Sequence, residues 1–420
     1  MASWERQPRV AALVLAGGRG ERLRPLTDQR SKPAVPFGGK WRIIDFVLSN
    51  LVHSGVNSVY VLTQYKAQSL LEHLQDAWIR SFGPHHFITA VPAQMQAGAS
   101  WYQGTADAIY QNLRLLDRTR PDLVAVFGAD HVYKMNVRQM VDFHRESGAA
   151  STVACLPVPR EEASDFGVIA VDEQWRVRGF VEKPAAPPEI PGRPGWSLVS
   201  MGNYIFNTHT LVDFLEEDAH DASSAHDFGH SILPKMVDSV PVYAYDFQRN
   251  RIPLETADES AYWRDIGTLD AYYEANLDLK NVEPRLNLYN WDWPIRTVSY
   301  SDPPVKFVFD ENNRRGEAIQ STVAGGCILS GGHVKDSVLG RNVLVDEGAV
   351  VENSIIMDNC WIDRGVHVRN AIIDKNNHIA PKERIGIDPD RDRERWVVSP
   401  GGIVVVRRGK DSPESRARNL

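Results

Sequence analysis

An aliphatic residue returns at every sixth position from Val338 through Leu344, Val350, Ile356 and Ile362 to Val368, and after a one-residue slip the spacing resumes at Ile373, Ile379 and Ile385. No other feature narrows the fold of this chain as far. A six-residue unit cannot enclose a core of its own, so it becomes stable only when its aliphatic residue stacks on those of neighbouring units, which winds the chain into a left-handed parallel β-helix of hexapeptide repeats. Six aliphatic positions in register separate this pattern from a merely β-rich segment. We place the β-helix at residues 321–410, with a flexible tail at 411–420. His367 and His378 fall within the repeat and read as surface residues.

The chain before the repeat has a different rhythm. From Val10 to about Leu279, β-branched runs alternate with helical patterns. Val59–Leu62, Leu123–Phe127 and Ser151–Ala154 read as strands, while Ala106–Leu116 and Leu269–Leu279 read as helices. Such alternation predicts an α/β domain over residues 1–280 with a Rossmann-like, mostly parallel mixed sheet, joined to the β-helix by a linker at 281–320. The prolines from Pro184 to Pro194 predict a loop beside any site at the sheet's carboxyl edge.

The first strand opens into such a site. The apolar run Val10–Ala16 leads into Gly17-Gly18-Arg19-Gly20-Glu21-Arg22, followed by Lys32-Pro33. Glycines let backbone N–H groups close around phosphate oxygens, and Arg19, Arg22 and Lys32 supply positive charge against a polyphosphate. The dinucleotide pattern G-x-G-x-x-G fails at Leu23, and no G-x-x-x-x-G-K-[ST] occurs. What remains is a different mononucleotide loop, or a plain turn with surface arginines.

Composition excludes several alternatives. A net charge of −7 argues against broad nucleic-acid or membrane-surface binding, so cations matter only where they cluster. Cys155, Cys327 and Cys360 form no C-x-x-C pair, which fits buried thiols in a reduced compartment. The first apolar run is too short to span a membrane. These features together predict a cytoplasmic protein.

Gly17–Thr27 with Lys32–Lys40, Trp41–Phe46, Trp101–Ala108, Gly128–His131, Phe180–Pro184, Ser200–Gly202, Ser224–Gly229 and Tyr262–Thr268 resemble, in order, the signature blocks of the nucleotidyltransferases that make nucleoside-diphosphate sugars. The nearest resemblance is to the bacterial ADP-glucose pyrophosphorylases. It implies a reaction of ATP with glucose 1-phosphate, assisted by Mg²⁺, yielding ADP-glucose for α-glucan synthesis. The nucleophile is a phosphate oxygen already anionic near neutral pH, since phosphomonoesters have a second pKa of about 6. No general base is needed, and catalysis reduces to positioning and charge neutralisation.

Asp130 follows the strand Leu123–Phe127 through Gly128-Ala129, which projects a carboxylate at the sheet's carboxyl edge. Asp265 lies just before a helix for which Thr268 is the natural N-cap, so Asp265 is not needed as a cap. Two carboxylates with phosphate oxygens suit Mg²⁺, and the resemblance pairs these two. It also implies that Arg22, Asp130 and Lys183 are catalytic, and that Gly17, Gly18, Arg19, Gly20 and Lys32 hold the nucleotide. Gln94 is a candidate for the adenine edge, because an amide can pair bidentately with a base. By the same resemblance Tyr102, Gly167, Glu182, Lys183 and Ser200 line the glucose 1-phosphate site. His220, His226 and His230 lack a standard zinc spacing and read as a structural loop.

The resemblance further implies a homotetramer and regulation by sugar-phosphate or nucleotide effectors, with Arg30, Arg42 and Arg408 as regulatory residues. Gln29 stands where some relatives carry an activator-binding lysine. The rival readings are a pyrophosphorylase using UTP, dTTP or GTP, and a non-catalytic, metabolite-sensing subunit of the same fold.

Overall fold

The computed structural model describes residues 7–79, 86–94 and 101–410, so the expected tail at 411–420 lies outside the described residues. The strand Val10–Leu15 runs parallel to Ser58–Thr63 on one side and Leu123–Gly128 on the other, with Phe87–Pro92 parallel beyond Ser58–Thr63. The long strand Trp196–Asn207 then adds antiparallel to Leu123–Gly128, and it continues the sheet into Gly167–Val171 and Val177–Glu182. The sheet is therefore mixed, with its parallel half built from the earlier strands.

Residues of the first strand divide between two cores, with Ala11 and Leu13 on one face and Ala12 and Val14 on the other. Burial on both faces explains why this strand is an unbroken apolar run instead of alternating. The helix expected over Ala106–Leu116 divides into Thr105–Tyr110 and Arg114–Thr119. Asn112 causes the break: its side-chain amide donates to Ala108 O at 2.8 Å, while its backbone N–H bonds Ile109 O in a tighter turn.

The C-terminal strands form three sheets that stack coil upon coil in parallel, as a hexapeptide β-helix requires. The pairing joins Leu344 to Trp361 and Trp361 to His378, an advance of 17 residues each time. A coil thus takes two steps of six and one of five, so a slip occurs in every coil. The inward stack is Leu339, Val345, Val351, Ile356, Ile362, Val368, Ile373, Ile379 and Ile385. This corrects the phase read from the sequence over the first three repeats: Leu344 and Val350 face outward, half-buried, and Val338 packs outward against the α/β domain. Asn342, Asn359 and Asn376 take left-handed backbone at one corner, where their side-chain amides bond in a ladder at 3.4 and 3.2 Å.

One β-helix sheet docks on the α/β domain. Its outward residues Val338, Ile355, Ile372 and Val405 share a core with Leu269, Tyr272 and Tyr273 of the helix Leu269–Asp278. Arg30, from the loop after the first strand, reaches across to Asp374 of the β-helix and bonds both carboxylate oxygens.

Candidate active site

A cleft of about 830 Å³ opens at the carboxyl ends of the parallel strands. Gly17, Gly18, Arg19, Gly20, Arg22, Lys32, Tyr102, Asp130, Gly167, Glu182, Lys183, Ser200 and Asp265 all line it. Among the active-site residues expected from sequence, Gln94 is not part of this lining. It lies just past the end of the edge strand Phe87–Pro92, exposed, with its Oε1 accepting from Arg114 Nη2 at 3.1 Å. Gln64, one residue beyond the adjacent strand, lines the cleft instead and donates to Tyr102 O at 3.4 Å.

The glycine loop is shaped by close approach. Gly20 has φ +62°, and a Cβ there would sit 2.9 Å from Lys32 Cβ. Thr27 Oγ1 donates to Gly20 O at 2.8 Å and closes the loop. Arg19 and Arg22 keep 71 % and 63 % of their side chains exposed, leaving two cations at the mouth of the cleft.

Asp130 and Asp265 are brought together by a short antiparallel ladder. The strand His131–Tyr133, directly after Asp130, pairs with Trp263–Asp265 so that His131 opposes Asp265. Lys32 sits between the two carboxylates, with its Nζ 3.2 Å from Asp130 Oδ2 and 3.1 Å from Asp265 Oδ1. Both oxygens therefore face one point at which a cation fits. Desolvation works to raise the Asp130 pKa, but the charges of His131 and Lys32 outweigh it and hold the carboxyl well below the usual carboxylate range. Arg22 approaches Asp265 from the outer side at 3.7 Å. Thr268 caps the following helix, accepting from Ala271 N at 3.2 Å, which leaves Asp265 free of that task.

Across the cleft, Glu182 ends the strand Val177–Glu182, and Lys183 follows with φ +47°. A lysine in left-handed backbone is uncommon and marks a constrained position. Its N–H donates to Phe166 O at 3.0 Å, and its side chain stays 61 % exposed. A Cβ on Gly167 would meet Phe180 Cζ at 2.6 Å and Glu182 Oε2 at 2.8 Å, so any larger residue would displace those side chains at the cleft wall. Asn112 donates to Tyr102 OH at 2.9 Å, fixing the phenol at the cleft wall.

Several lining residues were not singled out by sequence. His131 packs against Trp263 at a tilt of 52°, with ring centroids 4.9 Å apart, and lies 3.5 Å from Asp130. Asp227 accepts from Thr105 Oγ1 at 2.8 Å and from Gly229 N at 2.8 Å, which fastens the loop Ser224–Gly229 to the helix Thr105–Tyr110. Their signal was present in the Gly-Ala-Asp-His, Ser-Ala-His-Asp-Phe-Gly and Tyr-Trp-Arg-Asp blocks, but residue type alone did not separate ligand from scaffold. The three nearby histidines do not converge: His226 bonds Asp218, His220 bonds Glu216 O and His230 bonds Asp227.

The expected regulatory residues lie at the boundary between the α/β domain and the β-helix. Arg30 and Arg408 line a small cavity of about 300 Å³ together with Gln29, Asp374 and Arg407. Arg30 is only 2 % exposed, with donors committed to Asp374 and to Leu26 O at 2.9 Å. Arg42 donates to Ala34 O at 2.6 Å, and burial lowers its pKa despite the carboxylate of Asp358 nearby. No helix among the described residues is long and apolar enough to cross a membrane.

Comparison with known proteins agrees with this architecture. Residues 11–282 match the nucleotidyl transferase family model, and residues 303–406 match that of the GlmU-like C-terminal hexapeptide. Glucose-1-phosphate adenylyltransferase of Thermus thermophilus is 56 % identical over 95 % of this chain and 98 % of its own length. The enzymes of that name from Deinococcus radiodurans and Mycolicibacterium smegmatis are 50 % and 51 % identical, each over 96 % of this chain and over 99 % and 98 % of their own lengths.

Proposed function

The chain belongs to the nucleotidyl transferase family and, within it, to the glucose-1-phosphate adenylyltransferases, which join ATP and glucose 1-phosphate into ADP-glucose with release of diphosphate, and from that premise we propose how its own residues carry the reaction. The observation that supports the scheme is the convergence of the glycine loop, Lys32, Asp130 and Asp265 at one end of a single cleft whose other wall carries Glu182 and Lys183. ATP lies along the glycine loop, where Arg19 and Arg22 meet its phosphates. Glucose 1-phosphate lies against Glu182, Ser200, Gly167 and Tyr102, with Lys183 on its phosphate. Asp130 and Asp265 would hold Mg²⁺, which would supply neutralisation of charge on the triphosphate. Asp130 is ionised throughout the neutral range, as such a ligand must be.

The sugar phosphate attacks the α-phosphate in line, and the cations at the loop stabilise the charge that develops on the leaving diphosphate. No side chain has to accept a proton from the nucleophile. Diphosphate release measured with glucose 1-phosphate against ATP, UTP, dTTP and GTP tests the scheme. A strong preference for ATP is expected, and equal or faster turnover with UTP refutes it.

Phosphorylated effectors bind at the boundary cavity, where Arg30, Arg407 and Arg408 gather and Arg42 lies close by. Because Gln29 replaces a cation, a bisphosphate loses part of its neutralisation, so fructose 1,6-bisphosphate activates less than a sugar monophosphate. Titrating both at subsaturating ATP, in wild type and Arg30→Ala, distinguishes this from activation elsewhere. The same reading makes the protein a cytoplasmic homotetramer, checked by light scattering.

A further inference from the structure

Lys32 is unlike the other cations of the cleft. Arg19, Arg22 and Lys183 are 61–71 % exposed and make only long carboxylate contacts of 3.7–4.0 Å, whereas the Lys32 side chain is 8 % exposed. Its ammonium is already bonded to both carboxylates of the metal-holding pair, at 3.2 and 3.1 Å. We propose that Lys32 is a tethered counter-cation that fills the metal seat of the empty enzyme and is exchanged for the metal only when a nucleotide supplies the ammonium with new partners. The proposal rests on the reading of Asp130 and Asp265 as the metal-holding pair.

Two carboxylates aimed at one point repel each other unless a cation lies between them. Lys32 serves that purpose with no ligand present. A divalent ion arriving alone would have to expel this ammonium and leave it buried without a counter-charge, which is strongly unfavourable. A triphosphate changes that balance. The stem of Lys32 lies directly against the glycine loop, close enough that a Cβ on Gly20 would meet Lys32 Cβ at 2.9 Å. Phosphate oxygens held by that loop come within reach of the displaced ammonium. Metal and nucleotide therefore bind with positive coupling, each strengthening the other, because one exchange serves both.

The test uses the full-length protein and Mn²⁺, with bound ion counted by electron paramagnetic resonance and unfolding followed by heating. Without nucleotide, wild type should bind Mn²⁺ weakly, whereas Lys32→Gln and Lys32→Met should bind it at least tenfold more tightly. Each variant should also melt lower than wild type in chelator and recover on adding Mn²⁺, while wild type is unmoved. Equal Mn²⁺ affinity in wild type and both variants overturns the proposal. So does submillimolar Mn²⁺ binding by nucleotide-free wild type that Asp130→Asn abolishes, a result that needs no Lys32 variant to fold and leaves the metal-holding pair standing. If Asp130→Asn added to Lys32→Gln leaves the tighter binding intact, the ion sits elsewhere and the reading of the pair itself fails.

Discussion

Arg30→Met should weaken the attachment of the β-helix to the α/β domain more than any change of comparable size on the surface. Arg30 and Asp374 are 2 % and 1 % exposed, and the guanidinium bonds both carboxylate oxygens. Removing one partner leaves a buried charge that water cannot reach, a loss of about 3–5 kcal/mol in comparable sites. The structure argues for the lower end of that range, because Lys375 N still donates to Asp374 Oδ1 at 2.7 Å. Asp374→Leu should lose a similar amount, since it strands the arginine.

The double variant is the sharper measurement. Replacing both charges by apolar groups of similar volume is often neutral or stabilising, so Arg30→Met with Asp374→Leu should recover most of the loss and give a coupling of about 2 kcal/mol or more. Urea unfolding monitored by circular dichroism and by tryptophan fluorescence follows both domains. Losses below about 1 kcal/mol for the single variants, or losses that simply add in the double, would refute the argument that this buried pair joins the domains.

Asp130→Asn preserves shape and removes a charge on which transition-state neutralisation depends, so kcat should fall by roughly 10²-fold or more with the melting curve retained. Lys183→Gln should instead raise KM for glucose 1-phosphate while KM for ATP stays nearly constant, the pattern of lost ground-state binding; a change confined to ATP would place Lys183 at the other substrate. Gly104→Ala puts a Cβ 2.1 Å from His226 O, so it should push the loop Ser224–Gly229 off the helix Thr105–Tyr110 and lower both thermal stability and glucose 1-phosphate affinity. Burial, with a contribution from Arg42, lowers Lys375 to about 8 although Asp358 opposes the shift. The unfolded chain then binds the extra proton between about pH 8 and 10.4, so the stability of wild type relative to Lys375→Met should rise across that window, and a flat or falling difference in melting temperature counts against it.

The parts of this protein that can be read from sequence are those set by neighbouring residues. An apolar strand followed by glycines and cations announces the phosphate loop, and Asp130 is legible because it closes a strand of obvious type. The closeness of Asp265 is not, since it depends on two three-residue strands too short to show any period. The β-helix illustrates the same limit within a single repeat. Its period is plain, but its phase is hidden because the outer residues that pack on the α/β domain, Val338, Ile355 and Ile372, are as aliphatic as the inner stack. Gln64 and Gln94 follow neighbouring strands but differ by one place in register, since Thr63 pairs with Pro92, and the sequence does not show which amide reaches the cleft.

Arg30 and Lys32 connect these observations. One residue apart from each other in sequence, with Ser31 between them, they are buried at opposite ends of the same short segment. Arg30 bonds a carboxylate of the β-helix, and Lys32 bonds the two carboxylates of the cleft. Beyond Lys32 the chain is held by the turn Lys32–Ala34, closed by Val35 N to Lys32 O at 3.0 Å, and by Arg42 on Ala34 O. Coupling between separated sites requires a contiguous element with distinct arrangements that both sites bias. On the proposed reading those arrangements would be Arg30 on Asp374 or on an effector phosphate, and Lys32 on the paired carboxylates or on the nucleotide. If effectors bind at the boundary cavity as proposed, an anion that took Arg30 from Asp374 would act on backbone two residues from Lys32, and that is the route by which such regulation would reach the cleft.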